Sequence, residues 1–588
     1  MNYPTLRNFL IIILLMFFSS CGEKSIRSIV ILETTDIHGV IMPYDYIEKK
    51  SLDVSLANAA TYIRHLRNQE KPVFLLDNGD NLQGQPAVYY YNYIDTISPH
   101  FLSEVMNWLM FDAGTVGNHD IEAGHAVYDR LSDENKFPLL AANAVDIKTG
   151  KPYFTPFVIL EKNNIRIAVL GLITPAVPTW LPEKLYSGIE FRDMVETAQK
   201  WMPEILKQKP DLVVGLFHSG WDRDLRDSDG KESLMENGTA AVAFNVPGFD
   251  IIFCGHDHRV ANEKFVCKNG DSVLILNGGS RSEHLAKAEV SFSRNPITGR
   301  IRKKSSGKII NVSEFKPDKD FVNEFSRQDQ EIKKYVYKVI GTFTADISSR
   351  YAYFGPSAYV DMVHLMQLEI AEAEISFAAP LSFDVQISKG PVTVGDMFKL
   401  YRFENMLYTI ELTGTEIKKY LEYSYSEWLN TMQNAGDYLL KYRIGKDGKP
   451  VLTNNKAWLR NQPYDFDSAA GLDYVVDARK PEGERITIIA LTGGGKYDYN
   501  RKYRVAVNSH RGSGGGGHLT EGVGLSSNEL RSRLVSSTTR DLRYYIMQSI
   551  EVKKTLEPSS LNNWKIIPQN WAEAAAAREY VLLFGDNR

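Results

Sequence analysis

The chain is 588 residues long, with 43% hydrophobic and 24% charged residues, a balance that suits a folded protein and excludes an intrinsically disordered one. With 68 Lys and Arg against 72 Asp and Glu, the formal net charge of −4 excludes a broadly basic nucleic-acid-binding surface and leaves only local sites for small anions. Three cysteines exclude a disulfide framework.

Arg7 supplies a short positive region, and Phe9 to Phe18 is an apolar run. A run of about ten residues is half the roughly twenty that a membrane-spanning helix needs, and fits a signal peptide over residues 1–20. Ser19-Ser20 before Cys21 resembles a bacterial lipobox, with Phe18 in place of the usual Leu. Cys21 is therefore expected to be the lipidated first residue of the mature chain. The alternatives are an ordinary cleaved signal or an uncleaved anchor. The expected location is exported and lipid-anchored to the bacterial cell envelope, in the periplasm or at the cell surface. Export permits Cys254 and Cys267 to pair, although a free core thiol fits Cys254 equally well.

Past residue 28, short apolar strands run into polar, Gly-containing turns. The strand 28–33 leads into Asp36 and His38, 73–76 into Asp80, and 112–116 into Asn118 and His119. The strand 166–172 leads into Thr174-Pro175, 211–216 into His218, and 250–254 into His256 and His258. Such continuous apolar runs suit strands covered on both faces, and helical stretches at 56–70 and 195–207 alternate with them, so the class is α/β. Residues 316–338 carry helical apolar spacing at Phe321, Phe325, Ile332 and Tyr335 and read as a connecting helix. A different grammar of strands, such as 407–412 and 503–507, helices and long loops follows to about 555. The tail from 556 is Asn- and Ala-rich.

Five of the 12 histidines, His38, His119, His218, His256 and His258, directly follow apolar strands. With Asp36, Asp80 and Asn118 nearby, this is hard to explain as core packing. On an extended backbone, Asp-x-His and His-x-His point both side chains to the same side, so each pair is expected to grip one ion from one direction. Seven ligands with one shared carboxylate fill two four-coordinate sites. Mixed imidazole, carboxylate and amide donors suit Zn, Mn, Co or Fe and not Ca.

In this order, Asp36-Ile-His38, Gly79-Asp80, Gly117-Asn-His119, His218-Ser219 and Gly255-His-Asp-His258 resemble the motif set of calcineurin-like metallophosphoesterases, over about residues 28–290. Gly390-Pro-Val-Thr-Val-Gly-Asp396, Asn405-Met-Leu407 and Leu412-Thr-Gly414 resemble the C-terminal domain of the 5′-nucleotidase family. The resemblance implies an N-terminal αββα sandwich over 21–312, a linker helix over 313–338, a C-terminal α/β nucleotide-specificity domain over 339–555, and a C-terminal extension over 556–588. It implies that Asp36, His38 and His258 hold one metal, that Asn118, His218 and His256 hold another, and that Asp80 bridges them. His119 would stabilise charge or protonate the leaving oxygen. Glu122 stands where many relatives orient that histidine with an Asp, while Asp120 should point elsewhere. Relatives rotate one domain against the other about such a linker.

For the substrate, the resemblance implies nucleotide phosphoesters, with two aromatic residues of the second domain sandwiching the base. The matching positions are Phe403 and His510, the latter replacing the usual Tyr or Phe, with Arg511 beside it as a candidate for ribose or phosphate. Met42 to Tyr46, Gln83 to Pro86, Phe154 to Pro156, Ile375 to Pro380, and Tyr464 to Asp467 with Gly471 to Tyr474 resemble the 2′,3′-cyclic-nucleotide 2′-phosphodiesterase/3′-nucleotidase branch. Phe377 to Phe383 lacks the phosphate-binding arginine that plain 5′-nucleotidases carry there. Gly512 to Gly517 lacks the Lys-Ser/Thr of a P-loop and reads as a flexible loop lining the pocket. The expected activity is cyclic phosphodiester opening followed by 3′-dephosphorylation in extracytoplasmic nucleotide salvage. The rivals are a 5′-nucleotidase or nucleotide-sugar hydrolase and, from another class, a non-catalytic surface nucleotide-binding lipoprotein. The expected partners are nucleotide substrates and a membrane reached through Cys21, with no polymeric nucleic acid.

Overall fold

The computed structural model describes residues 25–69, 71–222, 235–294 and 301–585. Arg7, the 9–18 run and Cys21 lie outside the described residues. Among those described, no helix is long and apolar enough to cross a membrane.

The first half builds two six-stranded sheets. In one, Ser25–Thr34 pairs in parallel with Val73–Asp77 and antiparallel with His284–Arg294. In the other, Leu212–His218 lies between Ile165–Ile173 and Ile251–Cys254, parallel to both. The sheets pack face to face through Ile31, Phe74, Val169, Val214 and Phe253. Helices Leu56–Arg67 and Phe101–Trp108 cover the outside of the first sheet, and Met194–Lys207 and Thr239–Asn245 cover the second. This is an αββα sandwich, and covering on both faces explains the unbroken apolar strands. Cys254 and Cys267 are free, buried thiols.

The connecting segment is two helices, Lys319–Glu324 and Ser326–Val336, broken at Phe325. Phe321, Phe325 and Ile332 belong to the core of the first half, so this pair packs onto the sandwich rather than standing free as a spacer.

The second half centres on a five-stranded sheet in which Met406–Thr413 and Lys502–Asn508 are antiparallel neighbours. Gly414–Trp428 packs on one face, and Ala358–Ala371 and Leu542–Lys553 pack on the other. The tail is integral to this half. Trp564–Ile567 joins a three-stranded sheet, and Gln569–Phe584 puts Leu583 and Phe584 in the core. Fully buried Glu579 accepts hydrogen bonds from the Leu439 and Leu440 amides and the Tyr442 hydroxyl, which meets the demand of a buried carboxylate for donors.

The two halves interlock. Tyr89, on the sandwich helix Pro86–Tyr93, is 0% exposed and sits in the core of the second half. Its ring meets Phe398 edge-on at 5.3 Å and its hydroxyl donates to Asp541 at 2.9 Å. Burying such a ring contributes about 2–3 kcal/mol to the interface.

Candidate metal centre and active site

The ligand-bearing turns gather where the strands of both sheets end, and hydrogen bonds lock them together. The Asp36 amide donates to the Gly79 carbonyl at 2.9 Å, and the His38 amide to the Asp80 carbonyl at 3.0 Å. A Cβ at Gly117 would lie 2.2 Å from Asp80 Oδ1, and one at Gly255 would lie 2.2 Å from Thr35 Oγ1, so only glycine allows these turns to approach so closely.

The extended-backbone expectation is corrected. Asp36, His38, Asp80, His256 and His258 all have positive φ, at 50°, 48°, 58°, 72° and 58°. These residues lie in left-handed turns beyond the strands, a strained state that persists because the surrounding bonds over-determine it. The side chains still converge, through turn geometry rather than strand alternation.

Two donor groups result, Asp36 with His38 and His258, and Asp80 with His218 and His256. In the first, the Nε2 atoms of His38 and His258 are 3.0 Å apart, and His258 Nε2 is 3.3 Å from Asp36 Oδ1. In the second, His218 Nε2 lies 3.2 Å from Asp80 Oδ2 and 3.2 Å from Asn118 Oδ1, and His256 Nδ1 lies 2.8 Å from the same Asn118 oxygen. Donors around a tetrahedral ion with bonds near 2.05 Å stand about 3.3 Å apart. The observed spacings bracket that figure, from 2.8 Å for His256–Asn118 to 4.0 Å for His38 Nε2–Asp36 Oδ1, so each group can close on one divalent ion. All seven residues expected as ligands are present.

Second partners orient the rings. His38 Nδ1 faces the Gln83 carbonyl at 2.9 Å and His218 Nδ1 faces the Asn78 carbonyl at 2.6 Å, leaving each Nε2 for the centre. His256 Nε2 meets Glu236 at 3.0 Å, and Trp180 lies over its ring at 5.4 Å. Burial pushes His38 down to about 4, which keeps it in the neutral form that a ligand needs. Burial also disfavours charge on His218, but Asp80 and Asp36 outweigh it and raise His218 to about 10. The field of this site therefore favours a cation.

His119 has its Nδ1 2.5 Å from Glu122 Oε2, and its ring meets that of His38, in the first group, edge-on at 5.5 Å. Burial opposes its charge, yet Asp80 and Glu122 raise it to about 10. Asp120 points elsewhere, as expected. Its carboxylate accepts the amides of Asp80, Asn81, Leu82 and Gly117, and so staples two ligand turns together.

In the second half, Tyr464 lies edge-on to Phe403 at 5.8 Å. Burial, the Arg511 charge and, more weakly, His119 hold His510 down to about 3, which makes it a neutral flat ring. The Arg511 expectation is corrected. Its side chain is 1% exposed, with Nε on Asp467 at 3.0 Å, Nη1 on the Gly515 carbonyl at 3.0 Å, and Nη2 on Asp465 at 3.1 Å and on the Tyr464 carbonyl. Four of its five N–H donors are taken by these partners and the side chain is buried, so it is not presented to ribose or phosphate. The glycine run is corrected too: it is packed, because a Cβ at Gly515 would lie 2.4 Å from the His510 ring and one at Gly516 1.8 Å from Arg511 Nη1.

Sequence reasoning missed Glu236, Trp180 and the placement of Arg281 and Arg402. The Arg281 amide donates to the Asp36 carbonyl at 2.7 Å, and Arg402 lies 6.0 Å from the Phe403 ring centroid. Burial and then the like charge of Arg281 lower the Arg402 pKa, so these two cations from different halves of the chain lie near one another. Nothing in their local sequence signals this, since only the fold brings residues 281 and 402 together.

Residues 29–260 match the calcineurin-like phosphoesterase family, and residues 339–521 match the 5′-nucleotidase C-terminal domain. The chain is a calcineurin-like phosphoesterase joined to a 5′-nucleotidase C-terminal domain. Both belong to phosphoesterase and nucleotidase hydrolases. The 2′,3′-cyclic-nucleotide 2′-phosphodiesterase/3′-nucleotidase of Yersinia enterocolitica is 26% identical over 95% of this phosphoesterase and 91% of its own length. The trifunctional nucleotide phosphoesterase protein YfkN of Bacillus subtilis is 28% identical over 92% of this chain, which spans 39% of that longer relative. A Staphylococcus aureus protein assigned as a 5′-nucleotidase, solved with α-ketoglutarate, shares the fold at a TM-score of 0.73 and 22% identity, covering 92% of this chain and 99% of that one.

Proposed function

We propose that the protein is a two-metal hydrolase of nucleotide phosphoesters that opens 2′,3′-cyclic nucleotides and then removes the 3′-phosphate. The observation that carries this reading is the gathering of two donor groups, Asp36 with His38 and His258, and Asp80 with His218, His256 and Asn118, with the His119–Glu122 pair beside them. Divalent ions held there supply Lewis acidity toward phosphoryl oxygens and lower the pKa of water. The protein's own groups do the rest. Glu122 accepts from His119 Nδ1 and fixes the imidazole orientation, so Nε2 can place a proton at the leaving oxygen as negative charge develops. Phe403 and His510 offer flat faces to the base.

The choice of a cyclic diester is supported by similarity to the Yersinia enzyme along nearly the whole chain and by the absence of an arginine from residues 377–383. The second reading, 5′-nucleotidase or nucleotide-sugar hydrolysis, keeps the same metal site. The test is phosphate release by the metal-reconstituted chain from 2′,3′-cyclic AMP, 3′-AMP, 5′-AMP and UDP-glucose, with an added phosphatase revealing any monoester product. Preference for the first two supports the proposal. Preference for 5′-AMP or UDP-glucose overturns it in favour of the second reading.

A role in extracytoplasmic nucleotide salvage follows if Cys21 carries a lipid. Labelling with a radioactive fatty acid tests this step: wild type should take up label and Cys21→Ser should not, whereas equal labelling would defeat the assignment.

A further inference from the structure

Strand Lys502–Asn508 delivers its last residue as the cap of the short helix Ser509–Gly512, where Asn508 Oδ1 accepts the Arg511 amide at 2.9 Å. The chain then doubles back. The Gly514 amide bonds the Arg511 carbonyl at 3.0 Å, and the Gly515 amide bonds the His510 carbonyl at 2.9 Å. Gly515 is thereby laid against the His510 ring. Across from this arch, the turn Pro463–Asp465 presents the Tyr464 ring to Phe403. These two segments are separate in sequence, and one buried side chain joins them. Arg511 donates both to the Tyr464 carbonyl and, at 3.0 Å, to the Gly515 carbonyl. Asp465 and Asp467 balance its charge, and Asp467 is in turn held by the Tyr420 hydroxyl. His518 reaches the Gly516 carbonyl at 2.9 Å and the Asp465 carbonyl at 3.1 Å, a second tie between the same two segments.

We propose that Arg511 is a positioning residue for base recognition: by tying the Tyr464 turn to the Gly515 arch it holds Tyr464, the edge-on neighbour of Phe403, in fixed register with the segment packed on the His510 ring. The inference rests on the nucleotide reading given above. A planar guanidinium suits the task because its rigid fork can hold two carbonyls and two carboxylates at once, whereas a lysine in the same place carries the charge but not the fork. The ligand concerned is an aromatic base, which stacks in a gap of fixed width.

The experiment compares wild type and Arg511→Lys at matched metal content on two substrates, 2′,3′-cyclic AMP and ethylene phosphate. The latter is the same five-membered cyclic diester without ribose or base. Adenosine binding to the full chain is measured in parallel by calorimetry. The ratio of kcat/KM for the nucleotide to that for ethylene phosphate should fall about tenfold, carried by KM, with adenosine affinity falling by a similar factor, the size of a weakened base stack. Should Arg511→Lys fail to fold, Asp465→Asn loosens the same tie while Asp467 still neutralises the guanidinium, and should move both readouts in the same direction. Equal losses on both substrates would reduce Arg511 to general stability and overturn the proposal, as would an unchanged ratio with unchanged adenosine affinity. A wild type that binds adenosine yet hydrolyses none of the nucleotides would instead defeat the proposed function, because adenosine affinity reads the pocket independently of turnover.

Discussion

His119 Nδ1 lies 2.5 Å from Glu122 Oε2, a contact made within one short helix, Asn118–Glu122, whose first residue is itself a metal-ligand candidate. One turn of helix therefore fixes the distance between the candidate ligand Asn118 and the His119 imidazole. His119→Ala should lower kcat by roughly 10²–10⁴ while bound metal, read by elemental analysis, stays at the wild-type level. Glu122→Gln keeps an acceptor but loses the charge and should cost less. Full turnover in His119→Ala would remove the imidazole from the chemistry.

Tyr89 is the most deeply shared residue between the halves. Tyr89→Ala should destabilise the chain by about 3–5 kcal/mol, as large core truncations do. Tyr89→Phe, which keeps the ring and loses only the bond to Asp541, should cost about 1 kcal/mol. Denaturant melts check both. A near-zero effect of Tyr89→Ala would mean that the halves do not hold this arrangement in solution. Domain rotation of the kind expected for relatives would have to withdraw this ring, so Tyr89→Ala is also the variant in which rotation becomes easiest.

Burial raises Glu404 from 4.5 to about 8, with Arg543 at 3.4 Å pulling it back and Glu122 pushing it further up. The folded chain thus holds a proton that the unfolded chain has released across this window. Stability contributed by the group is full below about 4.5, falls as pH rises toward 8, and is level above it. Melting temperature should therefore decline less steeply over this range in Glu404→Gln than in wild type. Identical slopes would show that Glu404 ionises normally.

The gathering of the candidate donors was legible because each follows an apolar strand and because Gly79, Gly117 and Gly255 mark where the turns must crowd together. The left-handed backbone at Asp36 or His258 was not, since a non-glycine at positive φ is imposed by tertiary hydrogen bonds and leaves no local signature. The α/β alternation was readable from strand periodicity. The burial of Arg511 was not, because its partners Asp465 and Asp467 lie more than forty residues away. Tyr89 reads as one tyrosine in a run of three, Tyr89 to Tyr91, and only docking shows which ring crosses between domains. The tail carried no motif, yet Glu579 and Phe584 bind it into the second core.

Asp36 and Asp80 are both fully enclosed, and each needs cationic company. Chelation should abolish phosphate release and lower the melting temperature, and Zn, Mn or Co should restore both. A chain whose melting temperature is indifferent to chelator would not be holding ions at these residues.

If Asp80 joins the two ion sites, as proposed, its removal should empty both. Elemental analysis of wild type and Asp80→Ala, alongside phosphate release from 2′,3′-cyclic AMP, tests it most directly. The expected result is two divalent ions per wild-type chain, turnover that appears only as the second is added, and loss of metal at both sites in Asp80→Ala. Full turnover with one ion, or two ions retained in Asp80→Ala, would contradict it.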